Sequence, residues 1–599
     1  MANYRLKRSL ASGELSPLMY GRADLDQYKY GCSEMTNMYI KPQGPTIRRS
    51  GTQFIADMTT LFGEEITSYR LVDFVFDETQ AYCIIFLKSD TKLQIYFASY
   101  DGDSDVYGLI DDGTGSPYYI EDTTWDLDPA KMDYAQSKDV LFIAYRYTPP
   151  LQLARNDHND WAFSDITFTD GYPTDWADMP VGYPEHVTFY EQRLVYAGTY
   201  TYPQHLWFSE TGDFYNILPA SAPTGTDPFT VQIKSERHNQ IQWLASTVRL
   251  GIGTLGDEWV MYGSSSEGFT AETVNATRHS SKGSEAIRPV LSGSTVLFVE
   301  RLGRTVNEFV YDYDSNSYTA VDLSVLSSHM TDDYSITRWG HQKVPNSIIW
   351  CIRSDGEALA LTYLREHSVT GWSKHDTEGY FRDVCCIPDD NTRETSTWFL
   401  VERVIEDVSY LYLERLTKEF TNQVADDAWM VDSALNYKEE GTYVTTLAGL
   451  EHLEGKTVSI LTNGAVHPDR VVTDGAISLI YETDNVVVGL PYTSRLIPLP
   501  LEISLDDGTS IGRTARITNM SVYLHRSLGM WIGRLLDEME EVPFRVPTDL
   551  IGQGVPLFSG IRKISFPEGY SNHPTLIIEQ RQPLPMLVVS IMNELEVYS

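Results

Sequence analysis

The most regular signal along the chain is a series of short apolar runs that return at intervals of 48 to 58 residues: "AYCIIFL" from Ala81, "DVLFIAY" from Asp139, "RLVYAGT" from Arg193, "TVRLGIGT" from Thr247, "TVLFVER" from Thr295, "SIIWCIR" from Ser347 and "TWFLVER" from Thr397. After a turn or a longer excursion a second run follows, from Leu93, Leu151, His205, Glu258, Val306, Ala358 and Ser409. Runs of this length, rich in β-branched and aromatic residues and bounded by turn residues, predict buried strands. Seven such units suit the blades of a β-propeller, small antiparallel sheets that bury their faces only by stacking on neighbours.

The pattern changes beyond the seventh unit. Between Tyr443 and Tyr492 short strands are joined at Asn463-Gly464 and Asp474-Gly475, dipeptides that favour two-residue hairpins. The predicted class is mainly β: a central propeller of about seven blades, an inserted small β-barrel-like domain and a β-rich C-terminal region. The expected boundaries are 1–60 for an N-terminal arm or platform segment, 61–422 for the propeller, 423–512 for the insert and 513–599 for the C-terminal platform. The one helix candidate in that last region is "GRLLDEMEE", from Gly533.

Composition narrows the function. The 46 Lys and Arg against 83 Asp and Glu leave a formal charge of −37, which repels phosphate backbones and argues against adhesive nucleic-acid binding. No apolar run is long enough to span a bilayer as a helix, and the basic start "MANYRLKRSL" gives way to polar and turn residues where a signal peptide needs an apolar stretch. The five cysteines are scattered and never spaced C-x-x-C, which suits buried free thiols in a protein made in the cytoplasm.

The chemical motifs reduce to architecture. Gly251, Gly253 and Gly256 form a G-x-G-x-x-G, but a strand-like "DEWVMYG" follows where a dinucleotide site needs a helix N-terminus. "DGDSD" at Asp101 and "DYDSN" at Asp312 imitate the start of a calcium loop without its later ligands, and read as turns. "SETGDFYN" at Ser209 is a turn of the kind found in sialidase propellers, yet no pair of carboxylates is nominated for glycoside chemistry. His186, His205 and His452 stand alone and read as structural. The expectation is no enzyme, no cofactor and no metal site.

Residues 13–52, "GELSPLMYGRADLDQYKYGCSEMTNMYIKPQGPTIRRSGT", resemble the N-terminal signature of the tail nozzle proteins of short-tailed bacteriophages, also called tail tubular protein B. "RLVDFVFDETQAYCIIF", "DYAQSKDVLFIAY", "FYEQRLVYAGT", "SETGDFYNI", "HLEGKTVSIL" and "QRQPLPMLVV" are similar to that family's later segments, in the same order. One departure is Ser50, where the family pattern has proline between Arg49 and Gly51.

The resemblance implies a nonenzymatic virion protein, made in the host cytoplasm and placed at the distal part of the tail. Six copies would form a homohexameric ring below the adaptor ring (tail tubular protein A) and the portal, in contact with tail fibres or tail-tip proteins. Genomic DNA would pass through an acidic lumen without specific binding. Arg22, Asp24, Asn37, Arg48 and Arg49 are the candidate docking arm toward a neighbouring subunit or the adaptor; stapling of that arm to its own propeller is the alternative. The long excursions from Tyr100 and from Asn156 are candidates for a lumen constriction or a ring contact. A receptor-binding adhesin that grips host glycans with its propeller faces is the other function class, with an exported carbohydrate-active enzyme ranked below both.

Overall fold

The computed structural model describes residues 2–598 apart from 78, 103–105, 178–181, 236–237, 265–267, 501, 503, 506–507, 510–511, 550–553 and 566–568. The chain is a mainly β protein of the β-propeller class, and it divides into two compact units, one with five blade-like antiparallel sheets and the other with two. One unit comprises Phe62–Thr337 and Ile387–Asn391; the other comprises Met1–Leu61, Arg338–Cys386 and Thr392–Ser599.

Five blades make up the first unit. The fourth shows the plan: Ile241–Ser246, Leu250–Thr254, Glu258–Tyr262 and Asn275–Ser280 pair in order, all antiparallel. The apolar runs of the sequence are the second and third strands of each blade. They are the strands with neighbours on both edges and both faces, so side chains in Arg193–Ala197, Leu250–Thr254 and Thr295–Val299 are buried at every position. Successive blades share apolar cores: Phe74, Phe97 and Trp161 between the first two, Trp176, Tyr196 and Trp207 between the second and third, Trp243, Phe298 and Phe309 between the fourth and fifth. In the first blade the outer edge is split, since Val106–Leu109 and Tyr119–Asp122 both pair with Leu93–Asp101.

The second unit holds the other two blades. The sixth runs Ile336–Gln342, Ile348–Arg353, Ala358–Leu364 and Val369–His375. The seventh takes Tyr380–Asp389, Glu394–Ile405 and Val408–Leu416 from its own stretch of chain, and its fourth strand, Thr52–Asp57, from the N-terminal segment. Both sheets continue outward. Thr52–Asp57 touches Asp432–Lys438 in parallel, which leads into the insert through Asn485–Leu490, Thr457–Thr462 and Ala465–Val471. The predicted hairpins are present there: Asn463, Gly464, Asp474 and Gly475 all have positive φ.

The expected N-terminal and C-terminal segments are interleaved. Ala2–Arg8 and Thr46–Arg48 both pair with the last strand, Leu587–Val597, which also pairs with Ala515–Ser527. Gly533–Glu541 is not a helix. Trp531–Gly533 and Met539–Glu541 form a hairpin that is anchored on Ile577–Gln580, and this pairing overrides the helical propensity of the Leu- and Glu-rich turn between them.

Candidate functional site

The N-terminal signature splits into a locked half and an exposed tip. Asn37 adopts the left-handed conformation, φ 53, which asparagine tolerates better than most residues. Its Nδ2 donates to Thr493 O at 2.9 Å and to the Asp376 carboxylate, while its Oδ1 accepts from Arg49 Nε and from the Asp376 N–H, each at 3.1 Å. Arg48 Nη1 donates to Leu584 O at 2.9 Å and Nη2 to Tyr492 O at 2.9 Å; its guanidinium lies 4.5 Å from the centre of the Tyr492 ring. Arg49 lies 4.0 Å from the same ring. Ser50, the departure from the family pattern, donates its hydroxyl to Lys418 O at 2.9 Å.

Arg49 opens a buried chain of ion pairs that ties four separate stretches of sequence together. Both of its terminal nitrogens donate to Asp432, each at 2.7 Å. Asp432 Oδ2 also accepts from Thr377 Oγ1 at 2.8 Å, and Thr377 accepts from Arg403 Nη1 at 3.2 Å. Arg403 grips Glu414 with two bonds of 2.5 and 2.8 Å, and Glu414 accepts the Thr52 hydroxyl at 2.5 Å. All four ionic side chains are at most 2% exposed. Burial opposes the charge on Asp432, but Arg49, Arg403 and Thr377 outweigh it and hold the carboxyl below its ordinary pKa. Sequence reading singles out the two arginines of the segment and misses Thr377, Arg403, Glu414 and Asp432, because their only signal is that a buried guanidinium needs a carboxylate.

The tip is different. Ser16 caps a short 3-10 turn at Pro17–Met19, and Arg22 then makes two bonds of 2.9 Å to Asp24, with both side chains more than half exposed. Leu18, within that turn, is 87% exposed, which leaves its apolar side chain uncovered in the isolated chain. Of the five arm residues, Asn37, Arg48 and Arg49 are buried and bonded inside the chain, and Arg22 and Asp24 face outward.

The remaining motifs fall into the propeller framework. Gly251 and Gly253 lie in the strand Leu250–Thr254, and a Cβ at Gly253 would sit 2.1 Å from Trp243 Cε2, so the glycine admits the indole. At the turn, Thr254 N–H donates to Asp257 O at 2.9 Å and Asp257 N–H to Thr254 Oγ1 at 3.0 Å; a strand follows at Glu258. Asp312 and Ser317 close the hairpin that holds "DYDSN", whereas residues 103–105 of "DGDSD" and residues 178–181 of the excursion from Asn156 lie outside the described residues. His452 stacks on Phe54 with ring centres 3.9 Å apart, and His205 stacks on Tyr202 at 5.0 Å; burial lowers the pKa of each. None of the five cysteines is in a disulfide, and four of them are buried. Among the described residues, no three His, Cys, Asp or Glu side chains group as metal ligands, and no helix is long and apolar enough to cross a membrane.

His186 is a buried titratable group held from two sides. Its Nε2 is 3.0 Å from Ile241 O and its Nδ1 is 3.4 Å from Asp133 Oδ2. Burial disfavours the imidazolium, but the hydrogen bond and charge of Asp133 more than offset it, so its pKa lies above the ordinary value. The stabilisation this pair provides is therefore fully present below the ordinary histidine range and is lost as pH rises through the raised value. NMR titration should place His186 above a free imidazole, and Asp133→Asn should bring it down.

No protein-family model and no curated protein matches the chain. Solved structures with some likeness include the β-propeller domain of Cps50 (Swd1) from Myceliophteria thermophila, at 8% identity over 61% of this chain and all of that one, TM-score 0.36. A protein from Lactobacillus plantarum matches at 13% identity over 55% of this chain and 96% of its own, TM-score 0.33. The C-terminal WD40 domain of Sif2 matches at 8% identity over 62% and 99%, TM-score 0.32. The propeller assignment rests on the meanders of this chain themselves.

Proposed function

We propose that this chain is the nozzle subunit of a short phage tail, a nonenzymatic protein that assembles as a ring of six and continues the DNA channel. The observation that carries this reading is the ordered run of family-like segments from Gly13 to Val589, which spans nearly the whole chain. The split of the N-terminal signature supports it: a segment locked by Arg48 and Arg49 can transmit force to the body, while the exposed Arg22–Asp24 tip is available to a neighbour or to the adaptor. The net charge of −37, repeated six times around a lumen, would let DNA pass without adhering.

The tip can be tested separately from the fold. Arg22→Glu should weaken ring formation, measured by native mass spectrometry of the chain with its adaptor, and leave the melting temperature unchanged, because among the described residues the Arg22 side chain bonds only to exposed Asp24. Rings of unchanged strength would remove Arg22 from the interface. Binding of the isolated chain to host envelope glycans, with no ring formed, would favour the adhesin reading instead.

A further inference from the structure

The blades of the first unit line a partly open pocket of about 360 Å³ that the nozzle reading leaves without a role. It is lined from the first strands of successive blades and the turns beside them, so its wall is built by six separate stretches of sequence. Four permanent cations reach it, Arg70, Lys131, Arg146 and Arg288, against two lining carboxylates, Asp133 and Glu185. This is a reversal of sign in a chain of charge −37.

The lining cations are not equally engaged. Lys131 pairs with Asp128 at 2.9 Å, and Arg146 Nε donates to Glu185 at 2.8 Å, with the Gln240 amide on the same carboxylate. Asp133 is taken by His186. Arg288 donates to the Tyr134 backbone carbonyl at 2.6 Å and lies 4.2 Å from the centre of the Tyr134 ring. Arg70 lines the same pocket and makes no side-chain hydrogen bond or ion pair with any described residue. Arg288 thus sits on the Tyr134 ring near Asp133 and near Asp73, which accepts the Tyr134 hydroxyl at 2.7 Å, while Arg70 has no carboxylate bonded to it. A guanidinium fork with unspent donors is built to grip an oxyanion with paired hydrogen bonds.

We infer that this cavity is a binding site for a compact multivalent oxyanion, of phosphate or polycarboxylate kind, held by Arg70 and Arg288. The inference does not depend on the nozzle reading. Two probes distinguish the kinds of anion: inorganic pyrophosphate and citrate, each titrated into the full-length chain by calorimetry against potassium chloride of matched ionic strength. At least one should bind with saturable heat and raise the melting temperature beyond the chloride control, and the one that does identifies the class.

Arg70→Gln should weaken that binding at least about tenfold, the loss expected for one charge-assisted contact. Because Arg70 makes no side-chain bond within the fold, this variant should melt as the wild type does without the anion. Arg288→Gln should weaken binding similarly, and if it fails to fold, Arg70→Gln decides alone. No heat beyond chloride from either probe, or equal affinity in Arg70→Gln, would overturn the assignment.

Discussion

Replacing Arg49 with alanine is expected to be among the most damaging single changes in the chain. The substitution removes both hydrogen bonds to Asp432 and leaves a carboxylate 1% exposed beside Thr377, with Arg403 committed to Glu414. Removing one partner of a buried pair costs about 3–5 kcal/mol, most of it from the stranded charge. It also removes the donor to Asn37 Oδ1, which helps fix the left-handed turn. The expected result is a lower melting temperature and faster proteolysis within Met1–Leu61 and the insert, with the five-blade unit less affected. Arg49→Met combined with Asp432→Leu should be less damaging than Arg49→Ala alone, since no uncompensated charge remains. Equal damage in both would mean that the pair matters for shape and not for charge.

Gly51→Ala is the second large effect. A Cβ on Gly51 would lie 1.8 Å from Val431 O and 2.6 Å from Val431 C, a collision with backbone that no rotamer can relieve. Nor can the glycine retreat, because its N–H donates to Trp429 O at 2.6 Å and its carbonyl accepts from Thr417 N–H at 3.0 Å. Those bonds begin the strand that closes the seventh blade, so relief would come by detaching Thr52–Asp57. The cost is about 3 kcal/mol or more. Loss of hydrogen-exchange protection in Thr52–Asp57 and in Val408–Leu416 is the expected reading. Gly21→Ala is the control, since a Cβ there meets nothing within 4 Å, and it should behave as wild type.

The unevenness of what the sequence reveals has a physical basis. The second and third strands of each blade are legible because burial on both faces makes them continuous apolar runs. Some of the outer strands are short or half-exposed: Val290–Ser292 and Asn275–Ser280 contain no fully buried side chain, and no hydrophobic period marks them. The fourth strand of the seventh blade lies beyond any local pattern, since Asp57 pairs with Tyr412. The Gly533–Glu541 segment misleads for the converse reason. Its Leu and Glu content favours a helix, but Leu535 and Leu536 are about half exposed at a hairpin turn whose flanks are fixed by Ile577–Gln580.

The candidate site shows the same division. Arg48 and Arg49 stand out in the sequence as charged residues among Pro and Gly, yet the residue that defines Arg49, Asp432, is 383 positions away. Spacing cannot reveal such a partner. The glycines of G-x-G-x-x-G were legible as architecture because the following segment reads as a strand, and the Trp243 ring over Gly253 supplies the reason for glycine that sequence alone lacks. The cationic cavity carries no linear signature at all, because Arg70 and Arg288 come together only when the blades stack.

The central claim is that this chain forms the tail nozzle, and electron microscopy of purified virions with the chain located by a site-specific label tests it most directly. The nozzle account predicts six copies arranged as a ring at the distal end of a short tail, on the axis of the DNA channel. Label found in the capsid shell, or only on lateral fibres, would contradict it.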